Sequence, residues 1–117
     1  MSVSIVGGTV SASTALITNA QTGTTYTFVL TDANNTVVEL SNTSAITATV
    51  PPNSSVPYPV GSQIQLLQTN TGQVTIVGGS GVTVNASPGL KIRAQWSFAT
   101  LIKRGTDTWV LVGDVTA

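Results

Sequence analysis

Thr24-Thr25-Tyr26-Thr27-Phe28-Val29-Leu30-Thr31 alternates along its length, with Tyr26, Phe28 and Leu30 on one face and Thr25, Thr27 and Val29 on the other. Successive side chains of a strand point to opposite faces, so the alternation is that of a half-buried β-strand. The period of two returns in Ser62-Gln63-Ile64-Gln65-Leu66, with Ile64 and Leu66 inward, in Gln73-Val74-Thr75-Ile76-Val77 and in Val82-Thr83-Val84-Asn85. β-branched residues, which suit a pleated surface better than a helix, run throughout. No window carries apolar residues at helical spacing between caps. Ile92–Thr100, with Ala94, Trp96 and Ala99, is ambiguous and is read as strand.

The breaks between these runs read as turns. Asp32-Ala33-Asn34-Asn35 separates the opening stretch from Thr36–Leu40, using residues that tolerate left-handed backbone and bond to it locally. Gly78-Gly79-Ser80-Gly81 is expected to fold Val74–Val77 back onto Val82–Asn85 as a hairpin, and Gly105-Thr106-Asp107 to do the same for Ala99–Lys103 and Trp109–Val112. Pro51-Pro52-Asn53-Ser54-Ser55-Val56-Pro57-Tyr58-Pro59 cannot be a central strand, because proline donates no ladder bond; it reads as a semi-rigid extended loop. About nine or ten short strands at this spacing predict an all-β single domain, a sandwich or jelly-roll-like barrel. Tyr26, Phe28, Leu30, Ile64, Leu66, Ile76, Val84, Leu101 and Trp109 form its expected core. Residues 1–22 differ, with only short apolar clusters (Val3, Ile5, Val6; Leu16, Ile17) and no charge, and read as an N-terminal arm or edge strand before a β-rich domain at 23–117.

Composition narrows the function. Four basic residues balance four acidic ones, and charged residues make up 7% of the 117-residue chain, against about 25% in an ordinary domain. Thr, Ser, Asn and Gln fill the gap, 45 residues in all. Without cysteine there is no disulfide framework, thiol nucleophile or thiolate metal site, and without histidine no Ser-His-Asp triad or imidazole-held metal. A neutral chain has no global field for a nucleic acid backbone. The longest apolar runs are far short of the roughly 20 residues of a spanning helix. The start lacks the charged and apolar regions of a signal peptide, so synthesis in a cytosol is expected.

Candidate chemistry is sparse. Asp32 and Asp107 sit where turns are expected, Glu39 on the solvent face of a strand and Asp114 at a strand end, so no carboxylate pair is apparent and the chain is read as no enzyme. Lys91, Arg93, Lys103 and Arg104 lie in one region and read as an anion patch or a solvated sheet face. Tyr58, between two prolines, is the ring expected to stand exposed and the candidate contact for a glycan. Gly78–Gly81 joins two strands and lacks a lysine, unlike a phosphate loop. Normal apolar content with few charges points to a domain stabilised by neighbours.

Thr25-Tyr26-Thr27-Phe28-Val29-Leu30-Thr31-Asp32-Ala33, Val37-Val38-Glu39-Leu40, Thr49-Val50-Pro51-Pro52-Asn53-Ser54-Ser55, Pro59-Val60-Gly61-Ser62-Gln63-Ile64 and the final block Ala99 to Asp114 together resemble a module of bacteriophage virion proteins, over residues 24–115. The resemblance implies an oligomeric structural protein with no cofactor, placed on the virion surface after synthesis in the host cytoplasm. It supplies no catalytic motif. With too little chain before the module for a fibre shaft, a capsid decoration (cement) protein is expected: a homotrimer bound to the major capsid protein lattice and stabilising the head, with Val3, Ile5, Val6, Leu16 and Ile17 in the docking arm. The alternative is a tail-fibre or tail-tip receptor-binding module whose partner is a host cell-surface glycan. Neither reading calls for nucleic acid or membrane.

Overall fold

A computed structural model of the chain describes residues 15–117 and, before them, the backbone of Ile5–Val6 and Thr9–Val10. Those two short strands, β1 (Ile5–Val6) and β2 (Thr9–Val10), pair antiparallel with each other. From Ile17 onward the chain alternates between two sheets. β3 (Ile17–Gln21), β5 (Thr36–Leu40) and β7 (Gln63–Gln68) lie side by side and parallel in one sheet. β4 (Thr25–Thr27), β6 (Ile46–Val50) and β8 (Val74–Gly78) do so in the other. Each successive pair is an arch from sheet to sheet, and the arches stack. Val37 lies opposite Gln65 and Ile46 opposite Val74, the same sequence separation in both sheets, so the second and third arches superimpose.

The rest of the chain extends both sheets. β11 (Phe98–Gly105) pairs antiparallel with β7 and with β12 (Thr108–Gly113), and β9 (Thr83–Ala86) adds parallel to β12. β10 (Lys91–Ile92) and β13 (Val115–Thr116) continue the second sheet beyond β8. The orders are β3-β5-β7-β11-β12-β9 and β13-β10-β8-β6-β4. A single 3-10 turn, Leu30–Ala33, is the one helical element among the described residues, so the domain is all-β as its alternation predicts.

The core draws on both sheets: Val38, Leu40, Ile64, Leu66, Leu101, Trp109 and Leu111 from the first, Ile46, Val50, Val74, Ile76 and Ile92 from the second, with Phe28 and Tyr58 from loops. Burial of each such side chain contributes about 1.5–3 kcal/mol. Of the expected core, Phe28, Ile64, Leu66, Ile76, Leu101 and Trp109 are buried, while Tyr26 and Val84 are half-buried and pack against it.

Three expectations are corrected. Leu30 is 46% exposed. The Asp32 carboxylate accepts the Val29 amide (2.9 Å) and the Asp32 amide bonds back to the Val29 carbonyl (3.0 Å), winding the chain into the 3-10 turn and ending the alternation after Phe28. Gly78–Gly81 does not close a hairpin. Both edges of β8 are already occupied, by β6 and β10, so the turn carries the chain across to the other sheet, where β9 joins β12. Within Ile92–Thr100, residues 93–97 are a loop and strand resumes at Phe98. The second expected hairpin does form, with Lys103 opposite Trp109 and a register shift between Lys103 and Gly105.

Candidate functional site

β3 and β4 are the outermost strands at the same end of the two sheets, and the core face changes character there. On β5 that face carries Val38 and Leu40, both fully buried; their register partners on β3 are Asn19 and Gln21. Across the gap, Tyr26 of β4 stands in register with buried Ala48. A polar layer thus covers the end of the apolar stack. The hydrogen bonds within it are complete. Gln21 Nε2 donates to Asn19 Oδ1 (2.8 Å), Asn19 Nδ2 donates to Asp32 Oδ1 (2.8 Å) and to the Tyr26 hydroxyl (2.9 Å), and that hydroxyl donates to Asp32 Oδ2 (2.7 Å).

Asp32 is 1% exposed, and the hydrogen bonds to its carboxylate come from neutral donors. Isolating a carboxylate from water is costly unless its oxygens are satisfied, and here an amide, a hydroxyl and a backbone N–H together do so. Burial, then the hydrogen bond to Asp32 and its negative charge, push the Tyr26 hydroxyl well above the usual tyrosine range. The layer floors a cleft of about 580 Å³ that also takes in Ile17, Val29 and Thr31. Of its lining, Ile17 (61% exposed) and Val29 stand in solvent, as do their chain neighbours Leu16 (48%) and Leu30. Among the described residues no strand pairs with the outer edge of β3 or β4, so backbone donors and acceptors line this end as well.

Leu16 and Ile17 therefore belong to the open end itself, Ile17 as the first residue of an edge strand rather than of a free arm. Val3 and the side chains of Ile5 and Val6 lie outside the described residues. Tyr58 is corrected outright. It is 2% exposed, its ring meets Trp109 edge-on at 5.3 Å between centroids, and its hydroxyl donates to the Val29 carbonyl, so no ring is offered to a glycan there. The proline segment is not the extended loop expected but a run of turns, with Ser55 N and Val56 N bonded to the Pro52 carbonyl and Tyr58 N to the Val56 carbonyl, and the Tyr58 side chain turns inward into the core. Burial, then the charges of Asp32 and Tyr26, raise its hydroxyl as well.

The basic region also separates. Lys103 is 2% exposed, and its ammonium donates to Asn53 Oδ1 (2.7 Å) and to the Tyr58 carbonyl (2.6 Å), stapling the proline loop to β11. Asp107 in the hairpin turn accepts the Asn53 amide (2.8 Å) and anchors the same loop. Arg93 grips Asp114 with two bonds of 2.8 Å, leaving Lys91 and Arg104 as exposed cations. Arg93, then the Ser97 hydroxyl, hold the Asp114 carboxyl down at about 2. Glu39 is half-buried on the outer face of β5, in register with Ala20 and Leu67. No sequence signal reveals the burial of Lys103, because its partners lie 45 and 50 residues away, whereas those of Asp32 (Val29, Tyr26 and Asn19) are near it in sequence and are brought together by the 3-10 turn. Comparisons of the chain with protein-family models, with curated proteins and with solved structures found no match.

Proposed function

We propose that this domain is a non-enzymatic structural protein of a bacteriophage virion surface, a capsid decoration protein with a sandwich-like body that assembles as a homotrimer on the major capsid protein lattice. The observation that carries the reading is the open end: two strand edges unpaired among the described residues beside one cleft, with Ile17 and Val29 exposed on its lining and their chain neighbours Leu16 and Leu30 exposed as well. Such an end is a template for strand addition, in which backbone bonds give affinity and flanking apolar side chains give register. The near absence of charge favours the same outcome, since little repels a like chain. The function is mechanical: interface buried between copies and against the shell adds to the stability of the head. Val3, Ile5, Val6, Leu16 and Ile17 are the proposed contacts, and no cofactor takes part.

The test mixes the purified chain with undecorated capsids and measures the mass of the free protein by light scattering. Full-length protein is expected to be trimeric and to bind. Deletion of residues 2–14, or Leu16→Glu with Ile17→Glu, is expected to weaken binding by at least about tenfold, or 1.4 kcal/mol. Undiminished binding by both variants would remove the open end from the mechanism. Full-length protein that ignores capsids and coats host cells would favour the tail-tip reading.

A further inference from the structure

The loops that close the arches form a ridge along one end of both sheets. They are residues 22–24 between β3 and β4, 41–45 between β5 and β6, and 69–73 between β7 and β8; β11 runs antiparallel to β7, which brings residues 93–97 to the same end. Bonds join each loop to the next. Asn42 Nδ2 donates to the Thr22 carbonyl (2.8 Å), Gly72 N to the Asn42 carbonyl (2.8 Å), and Gln95 Nε2 to the Thr69 carbonyl (3.2 Å). Apart from Ala45, Ala94 and Trp96, the uncharged residues of the ridge are Thr, Ser, Asn, Gln and Gly, and its Arg93 is neutralised by Asp114.

Trp96 stands at the end of this ridge, 67% exposed, with φ at +71°. A bulky side chain in the left-handed region is strained, and a ring that remains mostly in water recovers little of that cost by burial. The backbone is nonetheless fixed. Trp96 N donates to the Gln68 carbonyl (2.6 Å), Ser97 N to the Ala94 carbonyl (3.1 Å) and Gln68 N to the Ser97 carbonyl (3.2 Å). Gln68 is itself buried and immobilised, its side chain bonded to Val74 N and the Asn70 carbonyl (both 3.0 Å). The indole is thus carried on a fixed backbone beside a row of neutral amides and hydroxyls.

We infer that Trp96 is the stacking platform of a binding site for a neutral oligosaccharide laid along the arch ridge. The indole face takes the apolar C–H face of a sugar ring, and the sugar hydroxyls meet the Ser and Thr hydroxyls of the ridge together with the second amide hydrogens and lone pairs that Asn42, Asn70 and Gln95 keep beyond their bonds within the ridge. A strongly charged ligand would meet a countercharge already engaged in the Arg93–Asp114 pair. Trp96 itself sits against the end of β7, two strands in from β3, and its test uses the free protein, so the inference can fail while the assembly reading stands.

Maltohexaose, cellohexaose and N-acetylchitohexaose are titrated in turn against the full-length chain, with tryptophan fluorescence as the readout. Trp109 is buried, so a change on saccharide binding reports Trp96. A saturable quench or blue shift is expected with at least one of the three at concentrations up to about 5 mM. In calorimetry, which does not depend on the indole as reporter, Trp96→Ala is expected to abolish binding and Trp96→Phe to retain it with at most about tenfold loss. Trp96→Gly, which relieves the backbone, serves as a second binding-deficient variant should Trp96→Ala fold poorly. The inference falls if none of the three saccharides gives a saturable response, if the Trp96 variants bind as well as the parent in calorimetry, or if a heparin hexasaccharide binds more tightly than all three. It falls equally if loss of the ring changes only the sedimenting mass of the protein, which would make Trp96 a contact between copies.

Discussion

Between β3 and β8 every ladder is parallel and joins strands one whole arch apart, whereas β11 and β12 pair antiparallel across a two-residue turn. The first region therefore depends on loops from different arches approaching closely, and the second on local turn chemistry. Each region also contains a buried charge held by neutral groups. Asp32 is satisfied by donors near the open end, and Lys103 by acceptors in the loop that β11 staples down. The opposed pair of Arg93 with Asp114 lies in solvent, where it contributes least. Charge is used here to fasten irregular segments, while the apolar alternation supplies the body.

The largest expected effect is in the arches. Gly72 donates to the Asn42 carbonyl, and a Cβ there would run into the carbonyl oxygens of Ser44 and Asn42. Gly72→Ala is expected to lower stability by about 3 kcal/mol, read from the urea midpoint. At the hairpin, a Cβ on Gly105 would meet only the Thr108 side chain, at 3.7 Å, and Gly105→Ala is expected to cost below about 1 kcal/mol. Equal losses in the two variants would erase the contrast between the regions.

Removing each buried charge sharpens the comparison. Lys103→Met keeps the stem but leaves the Tyr58 carbonyl and Asn53 without their donor, an expected loss of about 2 kcal/mol with early proteolysis in the 51–59 loop. Asp32→Asn turns an amide donor toward groups that themselves donate, an expected loss of about 1.5 kcal/mol. Its signature is hydrogen exchange at Val29 and along β3 that rises before the rest of the sheets opens. Uniform destabilisation would mean that Asp32 supports the whole fold rather than its open end.

Smaller effects attach to the far loop. Trp96→Gly is expected to raise stability by about 1 kcal/mol, the relieved strain exceeding the added flexibility of the unfolded chain. The smallest is a pH dependence. The Asp114 carboxyl is held at about 2, below its ordinary value near 3.8, so its contribution is present above that ordinary value and fades as pH falls toward 2. Acid unfolding curves of the parent and Asp114→Asn should converge across that window. A gap that persists at the acid end would assign Asp114 a role beyond its charge.

Period-two alternation in Gln63–Leu66 and Gln73–Val77 is enough to name Ile64, Leu66 and Ile76 as core, because a strand's two faces follow from backbone geometry alone. Gly105-Thr106-Asp107 is legible for the same reason, its turn lying between the strands that it joins. Alternation says which face is buried but not which strand lies alongside, and in a parallel stack the neighbour is a distant segment. That is why Gly78–Gly81 reads as a hairpin and instead crosses between sheets once β6 and β10 have taken both edges of β8. The same non-locality hid two buried polar side chains. Tyr58 and Lys103 are polar-tipped residues that a sequence assigns to the surface. Tertiary packing buries them because the Val29 carbonyl, the Tyr58 carbonyl and Asn53 are brought within bonding reach by the folded loop, and only that convergence offsets the cost of removing them from water.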